Sequence, residues 1–366
     1  MSGAMPGPLH GLTIIEMAGI GAGPFAAMML ADHGADVIRV ERDGMIGIPN
    51  DPLLRSRRSI SLNLKTEGAK QVVRRLAACA DGLIESYRPG VMERLRLDPD
   101  DLLVDNPKLV YGRVTGWGQD GPLVSSGGHD LDYLAISGLL HGIGQKERPV
   151  VPINYLADFA GGGMMLAFGM VSALLDVQRG GRGQVIDCAM SDGVALIGAL
   201  TYGMRAAGMW TDERESNLLD GGSPTYGVYE CSDGKFVALA AIEPQFRQAL
   251  LEGLGLAEGA GKEEVAGIVA TRRRDEWVSH FDGIDACVAP VLTLEEAPGY
   301  AHNQVRGTFI DLDGVVQPGA APRYSATATS KSRPPRPSGA DGEAILVELG
   351  YSPSEIDRLR GEGALP

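Results

Sequence analysis

Two of the six histidines stand in the stretch SSGGHDLDYLAISGLLHGIG, residues 125–144, and the first, His129, follows Gly127 and Gly128 and precedes Asp130. Imidazole has an ordinary pKa of ~6.5, so both of its protonation states are populated near neutrality and a histidine held beside a substrate can take a proton or return one. A histidine in a polar, glycine-flanked loop also serves as a solvated turn residue, and Asp130 either orients the ring or caps the apolar stretch beyond it. A second chemistry is written in GIGAGPFAA, where Gly21, Gly23 and Ala26 satisfy G-x-G-x-x-G/A and Glu41 lies 20 residues after Gly21. Such a turn binds phosphate on free backbone N–H groups. Pro24 removes one of those donors, and Arg39 and Arg42 flank the acid that would hold a ribose hydroxyl. Glycines chosen for close helix and strand packing explain the same pattern, and nicotinamide chemistry is retained only as an alternative. The four cysteines include no C-x-x-C, which signals neither a zinc site nor a redox motif and suits a reducing cytoplasm.

These residues need a scaffold. LTIIEMA, DVIRVE and GLIES are short apolar runs separated by the helical stretches PFAAMMLADHGA and GAKQVVRRLAACA, and this alternation predicts a parallel sheet with helices on its faces. LVYGRVTGWGQ, a helix over Phe159–Leu175 and GQVIDCAM continue the unit. The Phe159–Leu175 run contains four glycines and falls short of the ~20 residues of a membrane span, so it is expected as a buried helix. YGVYECSDGKFVALAAIE predicts a β-hairpin that opens a smaller α+β domain. The expected layout is a large domain over 1–205, a linker over 206–224, the small domain over 225–310, an extended Pro, Ser, Thr and Ala-rich return over 311–340, and C-terminal helices over 341–366 that rejoin the large domain. The opening MSGAMPGPLHG reads as a small-residue tail rather than a charged, apolar leader.

At 366 residues, 44% hydrophobic and 22% charged, the chain is an ordinary globular one. Its formal charge of -14 argues against nucleic acid and anionic membrane as partners, because both demand a basic face. From Arg39 to Arg96, however, 12 Lys and Arg stand against 7 Asp and Glu, an island that an anionic ligand could use or that a solvated helix face would also show. Arg55, Arg57 and Arg58 form its densest run and are expected to be solvated, with a screening role.

Several segments together, AGPFAAMMLADHGADVIRVE, GLIESYRPGVMERL, LVYGRVTGWGQDGP, GGHDLDYLAISG, ADFAGGGMMLAFG, GRGQVIDCAMSDG and ELGYSPSEIDRL, resemble the family III CoA-transferases. They are most similar to the α-methylacyl-CoA racemase branch, which reads GHD-x-x-Y where this chain has Gly128, His129, Asp130 and Tyr133. The transferases typically carry glutamine where Gly21 stands and lack the histidine. The resemblance covers nearly the whole chain, although GLGLAEGAGKEEVAGIVATRRRDEW in the small domain is shorter than the family's.

The resemblance implies an α/β fold with a large Rossmann-like domain and a smaller α+β domain, built as an interlocked homodimer. It also implies inversion at C2 of 2-methyl-branched acyl-CoA thioesters through an enolate, without metal or redox cofactor. Its catalytic set falls on His129 for one face of the substrate and on the pair Asp158 and Glu243 for the other. Its CoA and substrate contacts fall on Arg42, Leu62, Asn63, Leu64, Lys65, Ser86, Tyr87, Arg88, Arg94, Gly128, Asp130, Leu131, Asp132 and Tyr133, and Arg88 or Arg94 would suit a phosphate clamp. Asp158 immediately precedes FAGGGMMLAFG, where an N-cap aspartate is also at home. Gly161–Gly163 cost a helix roughly 0.8 to 1 kcal/mol each relative to alanine, so something approaches the backbone there, and a thioester oxygen is the expected visitor. Glu243 equally suits a strand-end surface acid, His141 is expected in the core, and the pairs Met28–Met29 and Met164–Met165 either line an acyl pocket or fill the core. Two other activities stay open: CoA transfer with Asp158 as nucleophile, and acyl-CoA binding without catalysis.

Overall fold

A computed structural model describes residues 7–42, 48–329 and 332–366, so the first residues of the expected tail lie outside the described ones. The chain divides into two compact units. The first comprises the residues up to Ser137, 153–197 and 304–366, and the second comprises 138–152 and 198–303.

The first unit is built on six parallel strands: β1 (Thr13–Met17), β2 (Asp36–Glu41), β3 (Arg57–Ser61), β4 (Gly82–Glu85), β5 (Val110–Thr115) and β6 (Val185–Ala189), in the order β3-β2-β1-β4-β5-β6. β1 is central, with Ile14 opposite Val37 of β2 on one side and Gly82 of β4 on the other. Strands buried on both faces alternate between two apolar layers. Ile15, Ile38 and Ile60 face α2 (Glu67–Cys79) and the C-terminal Leu346, Ile356 and Leu359, whereas Ile14, Val37 and Ile84 face α1 (Ala22–Asp32) and Leu166, Met170 and Leu174.

β3 corrects the sequence reading. Its RRSIS run belongs to the sheet, and Arg55 and Arg57, expected in solvent, are each 3% exposed. Each guanidinium has a carboxylate waiting: Arg57 pairs with the fully buried Glu16 at 2.8 Å and Arg55 with Asp32 at 2.5 Å. Arg39 also binds Glu16, and Arg58 bridges Asp36 and Glu348. Buried charges persist only when matched in this way, so the run is structural rather than screening.

The predicted Phe159–Leu175 helix is longer than expected. A π-helix over Leu156–Met164 continues into α3 (Met165–Gln178), and the whole helical stretch Ile153–Gln178 is long and apolar enough to cross a membrane. Its inner side, with Leu166 and Met170, is buried, while Met164, Phe168, Val171 and Leu175 lie exposed at helical spacing.

In the second unit the expected hairpin is present. β7 (Tyr226–Glu230) and β8 (Phe236–Ala240) pair antiparallel with β9 (Val288–Pro290) on the far edge of β8, and Gly234 takes the left-handed turn position at φ 72°. Tyr229, Leu239, Leu250 and Trp277 form its core with the helices of 244–280. The return begins with a second hairpin, Phe309–Leu312 with Val315–Pro318, and ends in the two expected helices Gly342–Glu348 and Pro353–Gly361.

Candidate active site

In an open parallel sheet the connections leave two adjacent strands in opposite directions at one place, and a crevice opens there beyond the carboxyl ends. Here that place lies between β1 and β4. A cavity of about 390 Å³ occupies it, lined by Ile20–Ala22 after β1, Ser86–Pro89 after β4 and Gly116–Gly118 after β5. His129, Tyr133, Asn154, Asp158 and Met190 complete the wall. This volume suits a small organic group.

The turn after β1 is held by its own geometry. Gly21 sits at φ 67°, a left-handed conformation that favours glycine, and opens α1 with the Ile20–Ala22 backbone at the cavity. A Cβ on Gly23 would meet Ser86 at 3.1–3.2 Å, so this glycine permits close helix–strand packing. Arg57 donates to the Pro24 carbonyl from below. Glu41, which a dinucleotide reading needs for a ribose hydroxyl, already accepts from Arg39 Nε at 3.2 Å and Ser59 Oγ at 2.5 Å. Turn and packing therefore account for the fingerprint.

His129 is the N-cap of a helix over Asp130–Ile136 and is exposed at the cavity wall. Its neighbours fix its backbone. Asp132 accepts from the His129 N–H at 2.9 Å, and the Tyr133 hydroxyl donates to the Gly128 carbonyl at 2.5 Å. Gly128 is required by sterics, since a Cβ there would lie 2.7 Å from the Tyr133 ring and 2.9 Å from Trp117. Burial pushes the Tyr133 phenol up to about 12, so it stays a neutral donor near neutrality.

Asp158 lies inside the π-helix and makes no N-cap bond, so the capping alternative does not describe it. Its Oδ2 accepts from Asn154 Nδ2 at 3.1 Å and lies next to Gly21. Burial raises its pKa above the usual carboxylate range; Asn154 and His129 oppose that shift, while Asp130 adds to it. The Ala157 and Asp158 amides are capped by Asp130, 28 residues earlier for the latter.

Gly161–Gly163 also differ from expectation, because the visitor is protein. A Cβ on Gly161 would lie 2.7 Å from the Val194 nitrogen, one on Gly162 2.8 Å from Met190, and one on Gly163 2.7 Å from Phe25. From the other side, a Cβ on Gly193 would fall 1.8 Å from the Gly161 carbonyl oxygen. The glycines let α1 and the helix Met190–Ile197 press against the π-helix, and no thioester oxygen is needed to explain them.

The other expected contacts follow the same sheet edge. Arg42 comes after β2, exposed, and Leu62–Lys65 come after β3, where Leu62 is buried and Asn63 hydrogen-bonds the carbonyls of Gly363 and Ala364. Ser86, Tyr87, Arg88, Gly128 and Tyr133 line the cavity itself. Arg88 reaches Gly127 and has no carboxylate partner among the described residues, and Arg94 in the short helix 91–95 folds over Gly90. The basic island is thus thinner than its count, since Arg39, Arg55, Arg57, Arg58, Lys70 and Arg74 are paired with carboxylates. Leu131 and Asp132 are exposed and Asp130 is buried.

Glu243 belongs to the second unit, exposed, as the N-cap of the helix Pro244–Leu254. His141 corrects its expected place in the core: it is exposed, with Nε2 2.8 Å from the Asp212 carbonyl, and the buried histidine is His33, whose pKa burial lowers. Met28 is in the core and Met164 is half exposed, so neither lines the cavity; Met190 does. Sequence reasoning missed Asn154, Trp117 and Met190. Asn154 alone carried a signal, four residues before Asp158 on a helical stretch.

Residues 9–342 match the family model for CoA-transferase family III. Among curated proteins, the chain is 44% identical over 369 residues to a protein of Mus musculus called alpha-methylacyl-CoA racemase, covering 97% of this chain and 96% of that one. It is 42% identical over 369 residues to the Homo sapiens protein of the same name, with the same coverage. Among solved structures, a CAIB/BAIF family protein from Brucella suis superposes with a TM-score of 0.80 at 28% identity, covering 94% of this chain and all of that one.

Proposed function

Because the chain belongs to CoA-transferase family III, we propose that it is an isomerase that inverts C2 of 2-methyl-branched acyl-CoA thioesters. One group removes the C2 hydrogen as a proton, the C–H electron pair moves into the thioester carbonyl to give an enolate, and the group on the opposite face delivers a proton to C2. The observation that carries this reading is that His129 and a half-buried Asp158, whose pKa burial raises, line the wall of one cavity at the sheet's switch point. The raised pKa of Asp158 favours its protonated form, the direction needed by a carboxyl that must also return a proton. The first-turn amides of α1, beside Gly21, are aimed at charge that develops on the carbonyl oxygen. Proton transfer between side chains needs no electron carrier, and the reading includes no metal or redox cofactor. Arg88, Arg94 and Lys65, with Arg42 on the same edge, are assigned to the CoA phosphates.

The test is solvent deuterium incorporation at C2 of a 2-methylacyl-CoA. The enzyme is expected to incorporate deuterium while interconverting the stereoisomers, and no exchange above an enzyme-free control overturns the reading. Trapping of Asp158 by hydroxylamine during CoA exchange with a free carboxylate would instead mark CoA transfer.

The working form is assigned as a homodimer in which Glu243 joins Asp158 in the acid–base set. Support comes from the apolar face of Met164, Phe168, Val171 and Leu175, which is 39–71% exposed in the single chain. Mixing His129→Ala with Glu243→Ala subunits should recover activity that neither parent has, if each site draws on two chains. Four unpaired cysteines support a reducing, cytoplasmic setting.

A further inference from the structure

Within the segment 128–133, His129 is the residue aimed at chemistry, and three neighbouring side chains are turned to other work. Asp132 and Tyr133 hold the peptide that leads into His129, the first through its N–H and the second through its carbonyl. Asp130, only 5% exposed, reaches the π-helix instead: its Oδ2 accepts from the Ala157 N–H at 2.7 Å and the Asp158 N–H at 2.8 Å. Amides in the first turn of a helix have no partner within it, and a buried carboxylate that takes two of them makes strong, directional bonds.

We propose that Asp130 is a positioning residue for the reaction: one carboxylate oxygen locks the backbone beneath the Asp158 acid–base group to the residue next to His129, and its charge acts on that group. The inference rests on the proton-transfer reading above. It gives the aspartate of the GHD-x-x-Y segment a task other than contact with CoA. Two catalytic side chains that are 29 positions apart in sequence are thereby carried on one rigid connection, because His129 and Asp130 are consecutive and Asp130 grips Asp158 by its backbone.

The side chains of the same chain that act on Asp158 can be named, and in the assigned homodimer Glu243 of the partner subunit joins them. His129 favours its ionised form, Asp130 disfavours it, and Asn154 stabilises it by hydrogen bonding. Tyr133 stands beside it as a neutral phenol. α1 brings Gly21 to this place and the helix Met190–Ile197 brings Met190, neither of which titrates.

Asp130→Asn separates the two effects, because the amide oxygen still accepts both N–H groups while the charge is gone. In a His129→Ala background, C2 exchange in deuterated solvent is confined to the stereoisomer whose hydrogen faces Asp158, so its acidic limb reads Asp158. Asp130→Asn should move that limb to lower pH by about half a unit or more, since a like charge has been removed. With His129 present, Asp130→Ala should lower kcat by about tenfold or more with little change in KM, the mark of lost orientation. A folded Asp130→Asn enzyme, checked by circular dichroism, whose acidic limb has not moved overturns the proposal, even where Asp130→Ala does not fold. So does Asp130→Ala with an undiminished kcat. If the unmodified enzyme exchanges no hydrogen at all, the reaction reading fails and this inference falls with it.

Discussion

The pKa of Asp158 is set by opposing influences, burial raising it and the Asn154 amide lowering it. Asn154→Ala removes a donor that favours the ionised form, so the carboxyl should bind its proton more tightly. For the stereoisomer that uses Asp158 as base, the acidic limb should then rise by about half to one pH unit, given ~1 kcal/mol for a hydrogen bond and 1.36 kcal/mol per unit. A pH profile of C2 exchange checks both sign and size. Arg88→Ala tests the anion contact: KM for the acyl-CoA should rise about tenfold with kcat nearly unchanged, and the rise should shrink at high salt. At this scale the sequence was informative about His129 and Asp158, whose residue types stand inside recognisable segments. It was silent about their supports. Asn154 and Asp130 act through distances that are set only when helices meet, and Gly161–Gly163 advertise a close approach without saying whether substrate or protein makes it.

The six-stranded sheet carries the site because its strand order reverses direction between β1 and β4, and five of its strands were legible as apolar runs punctuated by helices. β3 was hidden. Arginines in RRSIS look like a surface segment until Glu16 and Asp32 are known to face them. The π-helix was hidden for a different reason: its wider turn leaves no sequence periodicity distinct from an α-helix, so Asp158 looked like a cap. The grouping of 138–152 with 198–303 likewise tracks no shift in composition. The closest helix contact supplies the test at this scale. Gly193→Ala places a methyl 1.8 Å from the Gly161 carbonyl oxygen and must part the two helices. It should cost about 3 kcal/mol, seen as a lower denaturation midpoint with the slope unchanged.

Across the molecule, the first unit is discontinuous. Arg55 donates to Gln317 Oε1 and to the Pro318 carbonyl, Ser56 meets Arg333, and the Ala364 carbonyl accepts from the Asn63 N–H, while Ile345, Leu346, Ile356 and Leu359 seal the sheet face that α2 shares. Removal of residues 342–366 should therefore expose Ile15, Ile38 and Ile60 and leave the first 137 residues prone to aggregation, with dye binding to apolar surface and loss of cooperative melting as the readouts. The second unit has its own core and lies almost wholly within one stretch of chain, so its thermal transition should persist in that truncated protein. A sheet whose lid is supplied by residues 345–359 cannot close while it is being synthesised. Its strands emerge from the ribosome long before their cover, and that face stays open to other chains for as long as synthesis of the later segments takes.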